Sequence, residues 1–314
     1  MNHLFFTLSI LLLLIAPFFG QIEINIENLT NISTIDYKLF WDLRVPRVIL
    51  AFFTGALLGL SGLIFQSLFR NPMSTPFTLG VASGATLGTA FAIVFGMVSF
   101  ISIFGFFGAL LTIVILFTLT SRLKAFESSS LLLVGIALSF FYSAALMILF
   151  YISDETQSYE IVRFTMGSLD IVGFYSTLPV VIVASLLLVL TLNYKNQIKL
   201  LLTSYENAFL KGIEVKKINT ILLVSVSIAI GVAVSITGPI GFVGLIIPHI
   251  LKTIYKKSAD KLLLPTFFYS GIFLVLCDLI ARNLGTNSDV PIGVVTSFLG
   301  GPFFIYLLTR KKRL

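Results

Sequence analysis

Few side chains in this sequence could do chemistry. Among 314 residues there are two histidines, His3 and His249, and one cysteine, Cys277. Neither HExxH nor GxSxG occurs, so a zinc centre and a nucleophilic triad both lack parts; no metal, cofactor or catalytic residue is expected. Cys277 stands alone in an apolar stretch and reads as a small core residue with no intrachain disulfide. His249 follows Pro248 and has no acidic residue close by in sequence, so a packed, hydrogen-bonded histidine is preferred to a proton relay or a ligand.

Asp278 is the one acidic residue inside an apolar run, and a carboxylate within a membrane points to a function such as ion coupling. Arg282 lies four residues on, on the same helix face. Both fall toward the outer end of their helix, where an intrahelical ion pair is inexpensive, and the pair is the preferred reading. A carrier driven by protons or sodium needs ionisable or unwound polar positions near the bilayer midplane. One carboxylate is thin support, so the energy source is expected outside this chain.

The elements holding these residues follow from composition. Apolar residues make up 57% and charged residues 11%, against roughly 25% charged in an ordinary soluble domain. A water-soluble fold of that composition would have no surface. No Asp, Glu, Lys or Arg occurs between Arg70 and Arg122, between Glu127 and Asp154, or between Asp289 and Arg310. Each gap has room for at least one bilayer-crossing helix of about 20 residues. The run from Leu4 to Gly20 has no basic residue ahead of it and ends in a poor cleavage site, so a retained first span is expected rather than a secretory signal.

The expected fold is all-α, a single polytopic membrane domain over 1–314. Its spans fall near 4–20, 46–67, 77–97, 100–120, 130–151, 174–193, 217–236, 240–255, 262–281 and 290–309. The uncharged stretch from Asn71 to Ser121 would be about 75 Å long as one helix, too long for a single crossing of a core about 30 Å thick. The stretch from Ile218 to Leu251 is divided at Gly238-Pro239. One crossing there would set Lys216 and Lys217 opposite Lys252, Lys256 and Lys257, against the positive-inside rule.

Ten spans put both termini on one side, and Arg310 to Arg313 name it cytoplasmic. Of 21 Lys and Arg residues only Lys38, Arg44, Arg47, Arg163 and Arg282 then lie outside. The net charge of +7 reads as an orientation signal; nucleic-acid binding would need its cations gathered on a soluble module. Glycines spaced by three or four, Gly55, Gly59 and Gly62 or Gly80, Gly84 and Gly88, suit close helix contacts in lipid. They are not a phosphate loop, since GxxxxGK is absent. The cytoplasmic loop 195–217 contains an amphipathic segment broken by Gly212, which reads as a solvated basic loop or as two short helices forming a docking site.

Specific motifs then accumulate. Arg44-Val45-Pro46-Arg47, Gly55-Ala56, Ser61-Gly62, Gln66, Arg70-Asn71-Pro72, Gly80 and Gly84-Ala85 occupy the first half. The second half holds Gly238-Pro239-Ile240-Gly241-Phe242-Val243-Gly244, Pro248-His249, Asp278 with Arg282, Pro291-Ile292-Gly293 and Gly300-Gly301-Pro302. From about Arg44 to the C-terminus the chain resembles the FecCD-type permeases for iron-siderophore, haem and cobalamin uptake.

That resemblance implies the membrane subunit of a type II ABC importer in a bacterial inner membrane, with ten helices per chain. It implies a homo- or heterodimer with a second permease subunit, two cytoplasmic ATPase subunits, and a periplasmic or lipid-anchored binding protein. It also implies that Glu206, Ala208 and Gly212 belong to the loop that docks on the ATPase. By the same resemblance, Arg44, Arg47 and Arg282 correspond to outer-face arginines that pair with acidic residues of the binding protein, a geometry suited to guanidinium. The chain departs from the family's usual pattern at Lys252, where Arg is usual, and at Asp289, where Glu is usual; both keep the charge.

Overall fold

The computed structural model describes residues 3–69, 71–77, 79–122, 128–203, 210–285 and 289–310. Twelve helices are labelled here in chain order: α1 His3–Ile15, α2 Val45–Leu68, α3 Val81–Val94, α4 Ile101–Arg122, α5 Ser128–Ile152 and α6 Glu155–Thr165. They continue with α7 Thr177–Asn193, α8 Lys195–Thr203, α9 Val215–Thr237, α10 Val243–Tyr255, α11 Ala259–Leu284 and α12 Ile292–Arg310. No strand occurs among the described residues, and the protein is an all-α, polytopic membrane protein.

Ten of these helices lie on the ten apolar segments; α6 and α8 lie between them. Among the described residues α2, α4, α5, α9 and α11 are each long and apolar enough to cross a bilayer alone. The pair α7 and α8, bent by 65°, forms a sixth candidate, while α1, α3, α10 and α12 are apolar but shorter.

The centre of the bundle is α2. Burial covers 83% of its most apolar window, against 22% for α4 and 17% for α5, whose faces look outward. It packs on α11, α10 and α7, while α3 packs on α4 and α5, and α9 joins the two groups. Without a hydrophobic force between helices in lipid, such contacts depend on close van der Waals approach, and glycine supplies it. A Cβ on Gly62 would overlap the carbonyl of Gly244 in α10, and a Cβ on Gly59 would overlap the Ser270 side chain in α11. Gly84 and Gly88 meet α4 in the same way. Gly80 serves differently: with φ +75 it stands just before α3, in the left-handed region glycine tolerates.

Two breaks shape the second half. Helix α9 ends at Thr237, where Gly238 has φ +67, and Pro239 follows without a backbone donor. Helix α10 then starts after Phe242, which itself has φ +65 and lays its ring against Gly300 of α12. A helical turn over Ile35–Lys38 and a π-helical turn over Leu39–Arg44 lead into α2, whose second residue, Pro46, is preset for a first helical turn.

Candidate functional site

The buried charges gather at one rim of the bundle. Arg44 closes the π-helical turn and Arg47 sits in the first turn of α2, so the two start from adjacent helical turns but point to different partners. Asp278 and Arg282 lie in the last two turns of α11. Asp170 belongs to the loop after α6, and Asp289 to the segment leading into α12. That loop is itself tied down: Ser168 N donates to Thr237 O at 2.8 Å and Gly173 N to Asp42 O at 2.6 Å.

Arg47 is the hub. Its Nε lies 2.9 Å from Asp278 Oδ1, and its Nη1 lies 2.7 Å from Asp170 Oδ1 and 2.5 Å from Asp289 Oδ2. Arg282 Nε is 3.0 Å from Asp278 Oδ2 on the same helix, and Arg163 reaches Asp170 at 3.3 Å. The Asp278–Arg282 pair is therefore one edge of a larger network. Asp278 is fully buried, at 0% exposure, and needs both cations, since an unpaired charge in such a place is strongly destabilising.

Arg44 and Arg282, at 6% and 4% exposure, also turn inward. Arg44 Nη1 donates to Phe18 O at 3.1 Å and Pro17 O at 3.3 Å, and its Nη2 donates to Ile22 O. Arg282 Nη1 donates to Phe19 O at 3.3 Å. The three arginines read as outer-face contacts are thus together, but their guanidinium groups are engaged within the chain. They line a cavity of about 340 Å³ with Asp170, Asp289 and the backbone of Gly20 to Ile22.

The carboxylates that complete the network, Asp170 and Asp289, were not legible as partners of Arg47. Asp289 stood out as an acidic position of the family pattern, whereas Asp170 had no signal beyond its place in a glycine-containing loop between apolar runs. The two departures from the family pattern both take defined roles. Asp289 holds Arg47, and Lys252 Nζ donates to Gln66 Oε1 at 3.0 Å while Gln66 Nε2 donates to Gly244 O at 3.0 Å, linking α2 to α10 near the Gly62 contact. In the 195–217 loop, α8 occupies Lys195–Thr203, and Gly212 adopts φ +75 with no described residue within 4 Å of where a Cβ would stand. Glu206 and Ala208 lie outside the described residues. Among the described residues no cluster of three metal-ligating side chains occurs.

A polytopic helical membrane protein with its buried charges collected at one rim is the class this fold and site define. The chain belongs to the FecCD transport family, whose profile matches residues 8–310. Its relatives are permeases of iron-chelate, haem and cobalamin transport systems. It is 37% identical over 286 residues to a probable iron chelatin transport system permease protein of Helicobacter pylori, covering 91% of this chain and 86% of that one. It is 36% identical over 319 residues to the hemin transport system permease protein HmuU of Yersinia pestis, covering 97% and 94%. Identity to the vitamin B12 import system permease protein BtuC of Vibrio vulnificus is 33% over 309 residues, covering 97% and 92%. A solved structure described as an inward-facing conformation of a metal-chelate type ABC transporter superposes with a TM-score of 0.87 at 27% identity, covering 97% of each chain.

Proposed function

We propose that this chain is the transmembrane permease subunit of an ABC importer that moves an iron chelate, a siderophore complex or haem, into the cytoplasm. The observation that carries this reading is the match along nearly the whole chain to the iron-chelatin and hemin permeases. Cobalamin is the second substrate class, because the BtuC relatives cover as much of the chain.

In this reading the chain crosses the inner membrane ten times with both termini in the cytoplasm, and it pairs with a second permease subunit, either a copy or a paralogue. ATP is hydrolysed by partner subunits that contact the loop containing Glu206, Ala208 and Gly212. A periplasmic or lipid-anchored binding protein presents acidic side chains to the rim of Arg44, Arg47 and Arg282. Burial of Asp278 between two arginines favours a structural clamp over an ion-coupling site, because a coupling carboxylate must exchange its cation with water.

Reconstitution with an ABC ATPase and a substrate-binding protein from the same source tests the proposal. ATP-dependent accumulation of a ferric siderophore or haem is expected inside vesicles that carry the ATPase and ATP in the lumen and the binding protein outside. Uptake that follows an ion gradient and persists without ATP and partners would sink it.

A further inference from the structure

The segment after α1 has an unusual job. Ala16 and Pro17 are buried and anchor it, and the Phe18 ring rests on Phe40 at 4.9 Å. From Phe19 to Ile22 the side chains turn outward, with Phe19 55% and Ile22 61% exposed. What holds this stretch is two backbone carbonyls and the Gln21 amide. Phe19 O accepts from Arg282, Ile22 O accepts from Arg44, and Gln21 Nε2 reaches Gly285 O at 2.9 Å and Asp289 Oδ1 at 3.4 Å. Gly20 passes so close over Arg44 that a Cβ there would stand 2.9 Å from Nη2.

Arg44 and Arg47 are therefore satisfied in different ways. Arg47 contacts three carboxylates. Among the described residues no carboxylate comes within ion-pairing distance of Arg44, whose acceptors are neutral carbonyls. A carboxylate adds the attraction of a full negative charge to a guanidinium hydrogen bond and can accept it bidentately, which a neutral carbonyl cannot. Carbonyls of an exposed strap return to water at little cost once displaced.

We propose that Phe19–Ile22 is a displaceable strap that masks Arg44 Nη2 and Arg282 Nη1 in the unengaged permease, and that acidic side chains of the docking protein take the place of Ile22 O and Phe19 O while Arg44 Nη1 keeps Pro17 O and Phe18 O. The proposal rests on the docking reading above. Arg47 keeps its three aspartates, so its part in that docking is to hold the rim in register rather than to exchange partners. The strap thereby keeps two cations from binding stray anions until a surface arrives with carboxylates at the right spacing.

The test is a reversible lock. In a Cys277→Ser background, Gln21→Cys with Gly285→Cys places two thiols where the strap meets the end of α11, and binding-protein affinity is measured for the assembled transporter in nanodiscs. Oxidation is expected to weaken binding about ten-fold or more relative to the same protein reduced, and reduction restores it. Equal affinity in the two redox states overturns the strap, as does failure of the thiols to join in the unengaged transporter. The double variant Arg44→Glu with Arg282→Glu separates the two ideas. Undiminished binding by that variant removes the docking reading itself, whereas lost binding together with an indifferent lock leaves docking standing and removes only the strap.

Discussion

Arg47 Nε stands 2.9 Å from Asp278 Oδ1 across a separation of 231 residues, joining the first turn of α2 to the end of α11. This contact closes the helix pair at the rim, while Gly55 and Gly59 let the same two helices touch along their length. Packing in lipid supplies the approach, and the ion network sets the register at one end.

Removing Asp278 leaves the buried Arg282 and the half-buried Arg47 short of a counter-charge. Breaking one side of a buried ion pair costs about 3–5 kcal/mol, so purified Asp278→Ala is expected to melt well below the parent in the same detergent. Asp170→Ala, at the exposed edge of the network, is expected to cost no more than about 1 kcal/mol. Equal melting of the parent and the Asp278 variant would remove the network as a structural clamp.

Gly62→Val drives a side chain into the carbonyl of Gly244, and the helices α2 and α10 must separate to admit it. Overpacking of this kind costs about 1–3 kcal/mol and is expected to reduce the yield of monodisperse protein in size-exclusion chromatography. Gly301→Ala, where no described residue lies within 4 Å of the added carbon, serves as the tolerated control. If the two variants behave alike, the close approach is not what selects glycine at position 62.

Lys252→Met strands Gln66 Oε1 without its donor. An unsatisfied buried acceptor costs about 1–3 kcal/mol, readable as a lower melting temperature. Lys252→Arg keeps a donor within reach and is expected to stay near the parent; a loss as large as that of Lys252→Met would mean that the ammonium geometry, not the hydrogen bond, matters.

Gly212 has φ +75, and a β-branched residue there pays about 1–2 kcal/mol in backbone strain. Since no described residue stands within 4 Å of an added Cβ, Gly212→Val is expected to change the loop's conformation without a clash against them. In reconstituted transporter it is expected to lower substrate uptake per ATP hydrolysed, whereas Gly212→Asn, which tolerates the left-handed region, keeps coupling. An unchanged ratio in the valine variant would count against contact between this loop and the ATPase.

Most of the architecture was legible because the bilayer imposes it locally. Where Asn71 to Ser121 lacks any charge, a helix needs no distant partner to be specified, since its backbone bonds close within the segment and its side chains suit lipid. The break after Thr237 was readable for the same reason: Gly238 and Pro239 act on their own backbone. The Asp278–Arg282 spacing was also local, four residues along one helix.

The rim was not legible as a network. Asp170, Asp289 and Arg47 are joined only once three separate segments meet, and nothing in the sequence around any one of them states which of the scattered charges it will contact. The masking of Arg44 is further still from the sequence, because its acceptors are main-chain carbonyls that every residue carries. By itself, then, the sequence determined the helical membrane fold, its breaks and the family, all of which depend on composition, local backbone preference and motif. Only the tertiary structure decided which arginine is clamped by aspartates and which is covered by a strap, because long-range pairing of charges depends on where packed helices bring their ends.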